Sequence, residues 1–231
     1  MVFDRDSREA VSLPPPLSEL SMLLYCIRHG ETTYNAEGRI QGQLDTPLSD
    51  LGKKQAIAVA KALTGLPIEL VISSPLSRAF TTAEPLAAAL GVDIRTDDRL
   101  KEINAGIFQN LVPAEMAERF PEETKLWKAH DPDYRIPSGE SRRELMNRGA
   151  AALEEVLRSS LKCAAVVAHG GLLTAAFKGL LGIPADRSPF MLYNGSINLL
   201  EFSGQIRLMA LNQIDHLRDA DGTLQSRLGD L

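Results

Sequence analysis

From residue 22 onward, short apolar runs alternate with stretches of helical periodicity. Residues 22–27 form an unbroken apolar run of strand length, the pattern of a strand buried on both faces. Residues 49–64 place apolar side chains at helical spacing, with Ser49 positioned as the N-cap and Gly65 just past the end. A second strand is expected at 69–73, followed by a helix over 75–90 closed by Gly91, with Ser74 as its cap and Pro75 in its first position. A short strand follows at 92–95, then a short helix at 113–120 and a proline-punctuated loop over 121–140. The pattern next predicts a helix over 141–159, a strand over 164–168 and a helix over 172–181. Two final runs, 197–202 and 205–211, flank Ser203-Gly204 and read as a β-hairpin.

Strands alternating with helices predict an α/β fold, a three-layer αβα sandwich with a mainly parallel central sheet. The domain is expected over 22–212. Residues 1–21, polar and stiffened by Pro14-Pro15-Pro16, read as a flexible leader, and 213–231 as a tail. Ligands of such sheets bind beyond the carboxyl ends of the strands, which is where the chemistry is sought.

Composition narrows the function classes. A chain with 44% hydrophobic and 24% charged residues can bury a core, and its net charge of −5 argues against a nucleic-acid binder that works by neutralising phosphates. The longest wholly apolar stretches hold six residues, whereas a membrane-spanning helix needs about 20. Asp4, Arg5, Asp6, Arg8 and Glu9 make the first ten residues unlike a secretory signal, and two cysteines are a poor disulfide framework, so the cytoplasm is expected. Oligomeric state is open, a homodimer included.

Two of the four histidines occupy equivalent places. The first strand runs into Arg28-His29-Gly30-Glu31-Thr32, and the strand at 164–168 runs into His169-Gly170-Gly171. One histidine ending a strand is unremarkable, but two, each before a glycine that can present backbone amides to an anion, point to a site. Arg78 falls about one turn into the helix after Ser74, where the helix dipole disfavours a cation, so a bound anion would explain it. Glu102, in a charged loop, is not singled out by pattern alone. Gly52-Lys53-Lys54 lacks the rest of a nucleotide-binding phosphate loop, and Cys26 and Cys163 lie too far back in predicted strands to join His29 and His169 around zinc, so no metal is expected.

The segment Arg28-His29-Gly30-Glu31-Thr32 with Asn35 resembles the signature of the histidine phosphatase superfamily, the phosphoglycerate mutase-like proteins. Further segments are similar in order: Gly38-Arg39-Ile40-Gln41-Gly42 with Asp45, Ser74-Pro75-Leu76-Ser77-Arg78-Ala79, Leu100-Lys101-Glu102-Ile103, and Val166-Val167-Ala168-His169-Gly170-Gly171, closing on Asn194-Gly195-Ser196-Ile197. Asn110 departs from the glycine usual there, although asparagine also tolerates positive φ. The resemblance implies a phosphate pocket of Arg28, His29, Arg78 and His169 assisted by Asn35, with His29 as nucleophile and Glu102 as proton donor. Gln41, Gly42 and Gly170 are expected on the substrate side.

These residue types suit phosphoryl transfer. Two permanently charged guanidinium forks bind phosphoryl oxygens, and they disfavour a protonated His29. A bound dianion offsets the same cations and lets Glu102 carry a proton for the leaving alkoxide. The expected function is therefore a metal-independent phosphomonoesterase of the histidine acid phosphatase type, acting without cofactor on a small phosphorylated metabolite through a phosphohistidine. Two alternatives are carried: a cofactor-dependent phosphoglycerate mutase and an inert phospholigand-binding regulator. Arg119, Lys125, Lys128 and Arg135 read as a solvated face rather than a mutase's second anion site, and Phe108, Trp127, His130 and Tyr193 fit either a specificity wall or simple packing.

Overall fold

The apolar run at the start of the domain becomes β1 (Met22–Arg28), near the middle of a six-stranded sheet. The computed structural model describes residues 21–187, 189–218 and 224, so nearly all of the expected leader and most of the expected tail lie outside the described residues. The other strands are β2 (Leu70–Ser73), β3 (Ile94–Thr96), β4 (Cys163–Ala168), β5 (Ile197–Phe202) and β6 (Ile206–Gln213). Their spatial order is β3-β2-β4-β1-β5-β6. The first four in that order run parallel, β5 lies antiparallel to β1, and β6 is antiparallel to β5.

Among the described residues seven helices accompany the strands: α1 (Thr33–Glu37), α2 (Asp50–Leu63), α3 (Ser77–Leu90), α4 (Pro113–Arg119), α5 (Pro121–Lys128), α6 (Arg142–Leu157) and α7 (Gly170–Leu181). Alternate strand residues serve opposite layers. Leu24, Cys26, Ala164 and Val166 pack with Leu153 of α6 and Phe177 of α7, whereas Tyr25, Ile27, Ala165 and Val167 pack with Val59 of α2 and Leu86 of α3. Because helices cover both faces, β4 is buried at every residue and shows no polar alternation. The expected three-layer sandwich is the observed one.

Helix starts follow local chemistry. Ser49 Oγ accepts from the Gly52 amide, and Ala56, Val59, Ala60 and Leu63 then turn one face to the sheet. Ser141 and Glu144 form a reciprocal capping box at the head of α6.

Three local expectations need correction. The segment expected as a loop from residue 121 begins with α5, because Pro121 stands at a first helical position that needs no N–H, with acidic residues in the first turn and lysines in the last. Helix α3 starts at Ser77 rather than Pro75, and Ser74 is not its cap. Leu76 holds the cap position without a side-chain bond, and Asp45 Oδ1 takes the Ser77 amide from across the fold at 2.8 Å. Helix α1, which periodicity misses because it is one turn long, is nucleated by a capping box between Thr32 and Asn35. Beyond residue 212, β6 continues to Gln213 and a 3-10 turn, Asp215–Leu217, buries Leu217.

The loop after β1 meets the first turn of α2 backbone to backbone. A Cβ on Gly30 would stand 2.4 Å from the Gly52 oxygen, and one on Gly52 would stand 1.9 Å from the Glu31 oxygen. Neither atom can retreat without moving a backbone. Gly52→Ala is therefore expected to destabilise the fold by about 1–3 kcal/mol through overpacking. At roughly 2–4 °C per kcal/mol for a chain of this size, the thermal midpoint should fall by several degrees; an unchanged midpoint by differential scanning calorimetry would contradict the close approach.

Candidate active site

Strands β1 and β4 are parallel neighbours with Arg28 opposite Ala168, so the residues that follow them emerge side by side on the carboxyl rim. The His29 amide continues the ladder by donating to the Ala168 carbonyl at 2.9 Å, and the His29 and His169 rings meet edge-on with centroids 5.1 Å apart. Strand β2, on the other side of β4, delivers Ser74 to the same rim and then α3 with Arg78 in its first turn. Glu102 reaches the site from the loop that follows β3 and faces the N-terminus of α7.

The bonding of His29 sets its tautomer. Its Nδ1 lies 2.6 Å from the Gly30 carbonyl oxygen, which can only accept, so Nδ1 carries the hydrogen. Burial, then the Arg78 and Arg28 guanidiniums, hold its pKa well below the ordinary histidine value, against the smaller opposing effect of the Gly30 bond. The neutral ring therefore keeps a lone pair on Nε2.

Both arginines are anchored by carbonyls. Arg28 Nη1 donates to Leu192 O at 2.6 Å, and Arg78 donates through Nη1 to Leu44 O and through Nη2 to Gly42 O, each at 2.8 Å. Arg78 is 1% exposed, and burial brings its pKa down to about 10, which leaves it cationic at neutral pH. His169 has no exposed surface and stands behind His29 rather than on the pocket wall. Its Nε2 lies 2.8 Å from Ser74 Oγ, and burial, followed by Arg78 and other nearby charges, lowers its pKa well below the ordinary value. Glu102 is held at both oxygens: Oε1 accepts from the Ile103 amide at 2.8 Å and Oε2 from the Gly171 amide at 2.9 Å.

The remaining expected residues divide into lining and scaffold. Asn35, Gln41, Gly42 and Gly170 all line the pocket with Arg28, His29, Arg78 and Glu102. Three donors converge on Asn35 Oδ1, from Thr32 N, Thr32 Oγ1 and Asn194 Nδ2. Gln41 Oε1 accepts from the Thr46 hydroxyl, and Gly42 contributes the carbonyl that holds Arg78. Asn110 takes φ 67°, as asparagine can.

Phe108, Trp127, His130 and Tyr193 do not form the wall. Phe108 packs between Phe120 and Trp127, each 6.4 Å away, beneath α4 and α5, and His130 is exposed. The wall is Arg39, Ile40, Thr174 and residues 190–192 instead. Pattern reading also passes over Thr82, whose hydroxyl accepts the Gly30 amide, and Asn194, which donates to the His29 carbonyl. Ser74 was visible but in another role. Cys26 and Cys163 face opposite layers of the sandwich, and among the described residues no three histidine, cysteine or acidic side chains are grouped to hold a metal. No helix among them is long and apolar enough to cross a membrane.

Comparison with known proteins places this geometry. A glucosyl-3-phosphoglycerate phosphatase of Mycolicibacterium vanbaalenii is 35% identical over 192 residues, covering 80% of this chain and 85% of its own length. The Escherichia coli protein named "Probable phosphoglycerate mutase GpmB" is 38% identical over 193 residues, covering 80% of this chain and 87% of its own. The structure of a mycobacterial glucosyl-3-phosphoglycerate phosphatase in complex with inorganic phosphate superposes with a TM-score of 0.73 at 33% identity, over 83% of this chain and 97% of that one. Residues 24–213 match the family model of the histidine phosphatase superfamily (branch 1), and the chain belongs to that superfamily.

Proposed function

We propose that the protein is a phosphomonoesterase of the histidine acid phosphatase type that hydrolyses a small phosphorylated metabolite through a phosphohistidine on His29. The observation that carries this reading is the Nδ1–H···O=C bond of His29 to Gly30, which leaves Nε2 unprotonated in a pocket containing two buried guanidiniums. The names of the related phosphatases support the same chemistry.

In the first step Nε2 attacks phosphorus and the ester P–O bond breaks. Arg28 and Arg78 bind the equatorial oxygens and Asn35 assists them, so catalysis is mainly positioning and charge stabilisation. His169, with Nε2 at the Ser74 hydroxyl, stands edge-on against His29 and holds that ring in place for the attack. Glu102 gives a proton to the departing alkoxide. In the second step the ionised Glu102 takes a proton from water, whose oxygen attacks phosphorus, and His29 leaves as the neutral ring with inorganic phosphate.

A mutase must also hold a second anionic group of its substrate. Arg119, Lys125, Lys128 and Arg135 are exposed and none lines the pocket, while Arg39 at the rim already pairs with Glu37 and Glu115. An inert regulator has no need of a nucleophile and an acid set face to face. The phosphatase reading is therefore preferred to both. The buried, unbridged Cys26 and Cys163 suit the reducing cytoplasm we propose for it.

His29→Ala should abolish phosphate release across a metabolite panel together with any acid-labile phosphoenzyme; turnover persisting near the parental rate would reject the nucleophile. Glu102→Gln should slow alkyl phosphates by about 100-fold or more, the usual contribution of a general acid, and p-nitrophenyl phosphate far less, because nitrophenolate leaves without a proton. Equal losses on the two esters would remove Glu102 from that role.

The depressed histidine pKa values predict a pH signature. His29 is active when neutral, and that form is present above its pKa, so kcat/KM should show no loss attributable to His29 as pH falls through 6.5. Its ring signals by NMR should likewise show no titration step there. Unfolded histidines bind protons below about 6.5 while folded His29 and His169 do not, so stability present at neutral pH should decline with acidification by up to about 1.4 kcal/mol per pH unit per histidine. Thermal midpoints measured from pH 7.5 to 5 read this directly, and a flat profile would contradict it.

A further inference from the structure

Glu102 sits on a stretch with little regular structure of its own, from the 3-10 turn Asp98–Leu100 to a second such turn, Gly106–Phe108. Its carbonyls have no strand ladder to fix them. Gln43 Nε2 donates to the Glu102 carbonyl at 3.0 Å, and one side chain of α6 supplies the rest. Arg148 Nη1 donates to Arg99 O at 2.8 Å and to Lys101 O at 2.5 Å, and Nη2 donates to Glu102 O at 2.9 Å. Its remaining two donors go to one carboxylate, Nε to Glu140 Oε1 at 2.6 Å and Nη2 to Glu140 Oε2 at 2.9 Å. All five guanidinium hydrogens are thus used, the full complement of an arginine.

Glu140 completes the strap on the far side of Glu102. Its Oε2 accepts the Asn104 amide and its own amide donates to the Asn104 carbonyl, both at 2.9 Å. The two loops touch so closely that a Cβ on Gly139 would stand 2.3 Å from Asn104 O. The Arg148 and Glu140 side chains are only 20% and 16% exposed. An ordinary surface ion pair, with one carboxylate and solvent around it, needs none of this; three donors converging on the backbone of one loop, and two on a carboxylate that grips the same loop, fit a device that holds that loop still.

We propose that Arg148, braced by Glu140, is a positioning residue that sets where the Glu102 carboxyl meets the leaving oxygen. The inference rests on the reading of Glu102 as the proton donor. Arg148 touches neither pocket nor substrate. It acts by fixing the Glu102 backbone, so that the carboxyl lies within reach of both the Gly171 amide and the ester oxygen. A lysine would keep the charge, including its influence on the nearby His169, but it lacks the planar fork that spans three carbonyls and a carboxylate.

Steady-state kinetics of Arg148→Lys on an alkyl phosphate and on p-nitrophenyl phosphate test the proposal. Misplacement by about 1 Å can lower a rate roughly 100-fold. The expected result is a kcat loss of about 10–100-fold on the alkyl ester, no more than about threefold on the aryl ester, and an unchanged inhibition constant for inorganic phosphate. In a Glu102→Gln background, Arg148→Lys should cause almost no further loss on the alkyl ester, since an interaction acting through one residue is non-additive with its removal. Equal losses on both esters, no loss on either, or a loss that persists in the Glu102→Gln background would overturn the brace. Should Arg148→Lys fail to fold, Glu140→Gln carries the same test with the same split expected. Failure of Glu102→Gln alone to separate the two esters would overturn the acid assignment and the brace with it, an outcome distinct from those that overturn the brace alone.

Discussion

The structure depends on keeping two guanidinium groups charged while almost wholly out of water. Arg28 is 4% exposed and Arg78 1%, and burying charge is costly unless its donors are satisfied. Backbone carbonyls of Leu192, Gly42 and Leu44 orient the forks without cancelling their charge. A carboxylate in those places would neutralise the arginines and weaken the attraction for an incoming phosphate. Carbonyl anchoring leaves a positive potential preorganised at the rim, and burial together with that potential disfavours a protonated His29. Anion affinity and nucleophilicity thus come from one arrangement.

Sheet order makes this arrangement reachable from distant parts of the chain. His29 and His169 lie 140 residues apart in sequence, yet β1 and β4 are hydrogen-bonded neighbours, so one residue past each strand brings the rings together. Strand β2 on the far side of β4 places Ser74 against His169. Strand β5 does the same service on the other flank: the Gly195 amide before it donates to the carbonyls of both Arg28 and His29. His29 is therefore gripped by the neighbours on both sides of its strand.

Much of this was legible in the sequence for a plain reason. Strands covered on both faces must be continuously apolar, so β1 and β4 announced themselves, and a polar residue at the end of each stood out. Ser74 was visible but misassigned, because a serine before a proline looks like a helix cap and only the tertiary structure shows its hydroxyl turned to His169. The turns of α5 were hidden by Pro121, which marks a loop in one context and a first helical turn in another. Glu102 carried no signal in charge or spacing and entered only through resemblance. Arg148 carried none at all: one arginine on an amphipathic helix looks solvated until its five bonds are seen, and three of them go to backbone carbonyls that no residue pattern records.

His29 and Glu102 are held by different means, and the difference follows from what each must do in the reaction proposed above. There His29 attacks a phosphorus atom fixed between arginines, a role that suits the most rigid element available, the end of a central strand bonded to two neighbours. Glu102 there serves a leaving group and then a water at nearly the same place, so it must face the pocket from outside the sheet, which a loop allows. A loop offers no ladder to hold its backbone, and bonds like those a strand would have made to its neighbours come instead from the Arg148 guanidinium and the Glu140 carboxylate, with Gln43 Nε2 adding one to the Glu102 carbonyl. Glu102 is thereby given strand-like fixity without occupying a strand.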